Sequence, residues 1–441
     1  VSDALTIALL LVAFAAPLAL YGLSRSPRYG PLRGSAVHPF NVAGFVLVIM
    51  ALDLAAADAA IRAGVSLSFA GRDHLDRLAV MEGLAKHAIM AVALVLGVAL
   101  AARGAAAEEI PAAPRSPSIS PGVRRVLLGG AMLAALGASG SMLLSGLAAG
   151  DPLLVAGSRQ VYLRDNPLQT IGLLALLPAF TLFAAGHAHR AGLILCLAVV
   201  STIVMLPTGS RVTLLFIGLS AATALAPRLR VPAAVAYLVA PVVVTVLLYL
   251  RYLRGGAAFP SFAAFIEAQG GRLLFAGPDL TFAEALVMLD EVAVPRWPGE
   301  TFLAMLLTPM PRALLPWKPE GPSMEMTRLA DPQRWAATKS EWLTTGFVNL
   351  QMEFGPVLAP ILMAMLAYAW ARALTRVVTA SWETVALRAG ILSIIAVQFL
   401  RTDLYNLSLF LWSMAGVLSV AAILQRLMRS GALHRARDAG A

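Results

Sequence analysis

Cysteine, charge and metal-binding clusters are all scarce in this chain of 441 residues, and each shortage removes a class of protein. The single cysteine, Cys196, lies inside an apolar run, so no disulfide framework staples the fold. No grouping of His, Cys, Asp or Glu has metal-ligand spacing, so no metal site is expected. Charged residues make up only 13% of the chain against 59% hydrophobic, with a mean hydropathy of +0.78, too few to cover a water-exposed surface. Lipid must be part of the solvent. No polar domain gathers the net charge of +10; the arginines sit in short segments between apolar runs, which excludes a nucleic-acid surface and points to membrane orientation. No internal repeat is present, and the one biased tract is Ala/Pro-rich, from Ala105 to Pro121.

What is abundant is apolar sequence in runs of membrane-crossing length, about 20 helical residues each. Eight candidate spans precede a mixed-polarity region: Leu5 to Leu23, Val42 to Ala63, Leu78 to Ala102, Val126 to Ala149, Thr170 to Ala185, Gly192 to Leu206, Val212 to Leu225 and Val231 to Leu250. Three more follow it, Pro356 to Ala371, Val385 to Leu400 and Leu407 to Leu424. The first run lacks a basic flank on its N-terminal side and is followed by Arg25 and Arg28, as expected of a retained helix. The fold class is therefore an all-α polytopic bundle of about eleven spans. Its divisions are 1–250 (eight spans), 251–355 (a large loop with short helices), 356–424 (three spans) and 425–441 (a basic tail).

Arginines mark alternate connections: Arg25, Arg28 and Arg33; Arg103, Arg115, Arg124 and Arg125; Arg190; Arg228 and Arg230; Arg372, Arg376 and Arg388; and the tail from Arg426 to Arg437. The positive-inside rule makes all of these cytoplasmic, the C-terminus included, and puts Val1 and the 251–355 loop outside. That loop holds eleven of the 24 acidic residues, so polar work is expected there. Within it, Thr281 and Glu284 have the form of a capping box opening a short helix to Val292, and seven prolines between Pro295 and Pro322 preclude a long regular helix.

Several groups could carry chemistry at the outer boundary. Gly209-Ser210-Arg211 opens the seventh span; Arg211 either anchors the helix end or holds an anion beside the free N–H groups, with diphosphate a natural candidate. Pro311-Arg312 with Pro316-Trp317-Lys318-Pro319 supplies a guanidinium fork, a point charge and an interfacial ring. Glu341, and Glu353 within the segment Gly346 to Gly355, could act as a general base or serve as ordinary caps. Arg401 has Asp403 as a possible ion-pair partner, and Arg159, Arg251 and Arg254 are further outer cations. Inside the second span, Asp58 and Arg62 have the spacing of a neutralised helical pair, and His87 is expected to satisfy a hydrogen bond within the bundle.

Taken together, Gly209-Ser210-Arg211, Pro311-Arg312, Pro316-Trp317-Lys318-Pro319, the flanking segments Gly299 to Leu303 and Gly346 to Gly355, and Arg401 resemble the pattern of the O-antigen polymerases, the Wzy-type oligosaccharide repeat unit polymerases. The resemblance covers most of the chain as topology and only these short motifs as sequence. It implies a GT-C-like membrane glycosyltransferase in the bacterial inner membrane. Such an enzyme joins polyprenyl-diphosphate-linked oligosaccharides into O-antigen, capsule or exopolysaccharide on the outer face. Undecaprenyl diphosphate would be the leaving lipid, with no nucleotide, metal or other cofactor. Implied partners are the lipid-linked donor and acceptor, membrane lipids, a chain-length regulator and a flippase, and no nucleic acid. Related ligases use a histidine in the large loop; residues 251–355 contain none, which argues against a ligase.

On this reading Arg211 and Arg312 clamp the diphosphate, Lys318 and Arg401 assist, Arg159, Arg251, Arg254, Ser210 and Trp317 line the glycan or lipid head, and Glu353 or Glu341 is the base. Two alternatives stay open: a transporter or flippase for lipid-linked glycans, and a ligase-like glycan transferase.

Overall fold

The computed structural model describes residues 3–64, 77–107, 119–148, 167–205, 211–229, 231–235, 237–238, 298–310, 314–319, 345–375, 381–401 and 404–438, with isolated positions at 321, 324, 328 and 336. These residues are almost entirely helical, and among them the only β-type pairing is an isolated bridge between Ser35 and Pro232. Eleven α-helices are numbered here: α1 (Asp3–Ser24), α2 (Pro39–Arg62), α3 (Arg77–Ala107), α4 (Pro121–Ala148), α5 (Pro167–Gly186), α6 (Ala191–Met205), α7 (Arg211–Leu225), α8 (Glu300–Leu306), α9 (Gly346–Thr375), α10 (Trp382–Arg401) and α11 (Leu404–Asp438).

Seven of them, α1 to α4 and α9 to α11, contain stretches long and apolar enough to cross a membrane. The remaining long-run candidates α5, α6 and α7 are apolar but shorter, at Thr170–Gly186, Ala191–Met205 and Thr213–Leu225. The expected run from Val231 to Leu250 is described only at its start, and the expected capping-box helix from Thr281 to Val292 lies outside the described residues. Large apolar side chains on the rim, such as Leu18 at 70% exposure, Leu133 at 72% and Val357 at 73%, suit a surface facing acyl chains rather than water. The protein is accordingly a multi-pass membrane protein.

Helix α2 is the most enclosed of the seven: 72% of its apolar stretch is buried, against 56% for α3 and α10 and 28% for α1. The most extensive packing joins α3 to α9. Small residues permit the close approach: Gly97 of α3 lies against Ala364, Ala367 and Tyr368 of α9, and Ala93 and Ala101, four positions to either side on α3, are buried.

Contacts at the helix ends sort the connections into two sets. At one end Arg28, in the short 3₁₀ turn Pro27–Leu32 after α1, donates to the Ala102 carbonyl of α3 at 3.1 Å. The Ala36 N–H donates to Val231 beyond α7 at 2.8 Å. Buried Arg124 of α4 pairs with Glu383 of α10 and donates to Leu182 of α5 at 3.3 Å. Trp382 donates to Ala224 of α7 at 3.1 Å, and Gln425 of α11 accepts from Ser120 N–H at 3.2 Å. Among the described residues, the helix ends joined by these contacts flank connections that carry arginines, so they form one basic end, as the alternation of charge requires.

The opposite end is held by a four-membered ion network. Asp58 accepts from Arg62 at 2.7 Å and from Arg77 at 3.0 Å, while Asp3 pairs with Arg62 at 3.0 Å and with Arg77. The expected Asp58–Arg62 pair is present, and two further residues from α1 and α3 complete it.

At the basic end His38 caps α2: its Nδ1 accepts from Phe40 N–H at 3.1 Å, with Pro39 opening the helix. Full burial pushes its imidazole down to about 3 from an ordinary 6.5, because the charged form loses its hydration. The unfolded chain binds the proton below about 6.5 while the folded chain refuses it, so this contribution is complete above that pH and is lost as pH falls toward 3. Between about pH 7 and pH 5 the loss should approach 2 kcal/mol. His38→Asn keeps an acceptor at the cap and removes the titration. Its thermal midpoint in detergent should therefore fall less on acidification than the wild type's; equal falls would show that another group is responsible.

Candidate functional site

The end opposite the basic connections gathers several of the motif residues singled out in the sequence. Helix α9 begins at Gly346, well before the expected start at Pro356, and its first part through Phe354 is a separate helical segment. Phe347, Leu350 and Phe354 have helical spacing, and Thr345 caps the segment by accepting from Val348 N–H at 3.2 Å. Proline at 356 disfavours helical geometry in the residue before it, and Gly355 takes φ 69° and ψ −179°, a conformation open to glycine and costly for other residues. The chain therefore changes direction between the segment and the apolar remainder of α9.

The segment is buried on several sides and serves as the hub of this end. A Cβ at Gly346 would lie 2.6 Å from the Phe399 carbonyl, which shows how closely α9 starts against the end of α10. Asn349 Oδ1 accepts from Leu404 N–H at 3.0 Å, fixing the first turn of α11. Gln351 donates to the Lys86 carbonyl of α3 at 3.5 Å. Glu353, 5% exposed, accepts from the Gly299 N–H, and Gly299 is the N-cap of α8 with φ 93°. Its carboxylate thus sits at the positive end of a short helix from the large loop.

Loop residues dock on α11 beside it. Thr308 donates to Ala304 at 2.9 Å and shares a hydrogen bond with Ser408 at 2.6 Å, while Trp412 donates to the Met305 carbonyl at 3.3 Å. Lys318 is 7% exposed, and its ammonium donates to the Thr308 carbonyl at 3.0 Å and the Met310 carbonyl at 3.2 Å. Its neighbour Trp317 is 63% exposed. Burial of the cation and exposure of the ring follow from one tight turn, closed by Lys318 N–H on Leu315 at 3.0 Å.

Of the sequence-predicted residues, Glu353, Lys318, Trp317 and Arg401 are brought to this end. Arg401 is half-buried at the last position of α10, two residues beyond the Phe399 contact. Arg211 opens α7, whose far end meets Trp382 at the start of α10; the two helices are antiparallel, so Arg211 and Arg401 share an end. Arg159, Ser210, Arg251, Arg254, Arg312 and Glu341 lie outside the described residues.

The site also contains residues that the sequence did not single out for a role: Gly299, Thr308, Asn349 and Ser408. The Gly-Pro pair at 355–356 was the available signal for a break, and the Phe347, Leu350, Phe354 spacing for the helix before it. His87 differs from expectation. It is fully buried against Phe347, with ring centroids 5.9 Å apart, and among the described residues neither ring nitrogen has a hydrogen-bond partner. Among the described residues, no three His, Cys, Asp or Glu side chains come together as a metal site.

Compared with family models, curated proteins and solved structures, the chain matches none.

Proposed function

We propose that this protein is a membrane glycosyltransferase that polymerises polyprenyl-diphosphate-linked oligosaccharide units, working at the end of the bundle opposite its basic connections. The observation that carries this reading is convergence. Helix α8, the Trp317–Lys318 turn, the broken start of α9 and the α10–α11 junction, far apart in sequence, interlock at that one end. By the positive-inside rule this end faces out of the cytoplasm of a bacterial inner membrane, where a lipid-linked glycan presents its head, and the tail of α11 lies inside.

The chemistry asked of the site is limited. An acceptor hydroxyl oxygen attacks the anomeric carbon, the carbon–oxygen bond to diphosphate breaks, and the departing polyprenyl diphosphate takes the electron pair. Arg211, Arg312 and Arg401 neutralise the growing charge, since guanidinium–phosphate bonds are charge-assisted and bidentate. Arg159, Arg251, Arg254, Ser210 and Trp317 hold the rest of the head group. Glu341 or Glu353 receives the hydroxyl proton, as an ionised carboxylate is an acceptor at both oxygens. Lys318 braces the loop through the carbonyls that it holds.

Reconstitution with a defined polyprenyl-diphosphate oligosaccharide, scored for a ladder of products, tests the reading. Arg211→Ala removes one charge-assisted contact worth about 1.5–3 kcal/mol, so the elongation rate should fall by one to two orders of magnitude at unchanged protein level. Wild-type ladders from that variant would refute the clamp, and absence of any ladder from the wild type would refute the polymerase. A transporter reading finds one feature in its favour, the break in α9 at Gly355. In the same vesicles a transporter would move the lipid-linked unit across the bilayer without lengthening it.

A further inference from the structure

At the basic end, the turn between α1 and α2 is held in shape by its own backbone. Arg33 N–H donates to Gly30 at 3.1 Å and Gly34 N–H to Ser24 at 3.1 Å. Two further bonds, Ala36 N–H to Val231 at 2.8 Å and Ala233 N–H to Gly34 at 3.1 Å, fasten the turn to the segment that follows α7. Three exposed arginines are thereby fixed at one corner. Arg33 lies over Arg25, its Nε donating to the Arg25 carbonyl at 2.7 Å; Arg25 stands 5.8 Å from the centroid of the Tyr21 ring; and Arg228 is three residues before the Val231 fastening.

None of these three makes an ion pair among the described residues, whereas Arg62, Arg77 and Arg124 elsewhere in the bundle each do. Like charges held together by a rigid turn repel one another, and an anion bound between them relieves that repulsion. Directly after the corner, Val231 is 42% exposed, Val235 45% and Leu238 77%, so an apolar strip continues from the cationic patch. A soluble acidic protein would meet the charges and leave the strip uncovered. A neutral lipid would cover the strip and leave the charges unmatched.

We propose that this corner binds an anionic phospholipid, its phosphate-bearing head on Arg25, Arg33 and Arg228 and its acyl chains along Val235 and Leu238. The site is separate from the proposed glycan chemistry and lies at the other end of the bundle. Phosphatidylglycerol, against phosphatidylcholine as control, is titrated into the purified full-length protein, with bound lipid read by native mass spectrometry and stability by the thermal midpoint. The wild type should retain phosphatidylglycerol and gain stability from it, and raised salt should weaken both effects. A surface arginine is worth about fivefold in binding to anionic lipid, so the pair Arg25→Gln and Arg33→Gln should weaken retention about thirtyfold. Arg25→Lys with Arg33→Lys should keep most of it. Equal responses to the two lipids in the wild type would overturn the proposal without recourse to any variant, as would undiminished phosphatidylglycerol binding by the glutamine pair. Salt-sensitive capture of an acidic protein with no lipid preference would overturn it in favour of a protein partner.

Discussion

Gly97→Val should destabilise the bundle by about 3 kcal/mol. A Cβ placed on Gly97 of α3 would collide with the Ala364 carbonyl of α9 and would stand 2.9 Å from both the Ala367 Cβ and the Tyr368 nitrogen. The obstacle is mainly backbone, which has no rotamer to change, so the two helices must separate. Separation is costly here because this is the most extensive helix pair in the molecule, and in lipid it is packing rather than water exclusion that holds helices together. Gly137→Ala in α4 is the control: its Cβ would meet nothing, and alanine is the better helix former. The thermal midpoint in detergent should fall sharply for Gly97→Val and hold or rise for Gly137→Ala. Equal midpoints for the two would show that α3 and α9 do not pack as closely as Gly97 implies.

The same helix pair shows what a sequence of this kind discloses. The apolar run from Leu78 to Ala102 marks α3, because run length depends only on residue type. The close approach at Gly97 and its partner α9 are tertiary facts that no local signal names. The shared end of those connections was legible for a related reason: arginines placed in alternate connections must share an end once each run crosses, and the Arg28–Ala102 and Arg124–Glu383 contacts join such connections. The Asp58–Arg62 pair follows from helical spacing, whereas Asp3 and Arg77 reach it from other helices. Span length was legible too: the shorter runs expected at Thr170 to Ala185, Gly192 to Leu206 and Val212 to Leu225 are the shorter apolar helices Thr170–Gly186, Ala191–Met205 and Thr213–Leu225. The start of α9 was hidden by its polar residues. Asn349, Gln351 and Glu353 depress the hydropathy of a segment that is nonetheless buried, and each of the three side chains makes at least one hydrogen bond within the chain.

Backbone acceptors carry no mark in a sequence, and Lys318 is where that matters most for the site. A lysine between Trp317 and Pro319 in an outer loop invites assignment to a phosphate, yet its ammonium is directed at the carbonyls of Thr308 and Met310. Lys318→Met fills the same length of space without the charge and leaves those two buried carbonyls short of a donor. The expected loss is about 3 kcal/mol, concentrated where the turn at 314–319 is fastened to Thr308 and, through Ser408, to α11. Backbone amides of that turn should exchange faster with solvent and the loop should become cleavable by protease, while the α3–α9 pair keeps its protection. Elongation should fall in parallel, since the exposed Trp317 loses the turn that presents it. Arg211→Ala should show the opposite separation, with elongation reduced and exchange at 314–319 unchanged. If Lys318→Met abolished elongation and left that exchange at the wild-type rate, the ammonium would have to reach the substrate itself, and the bracing role would be wrong.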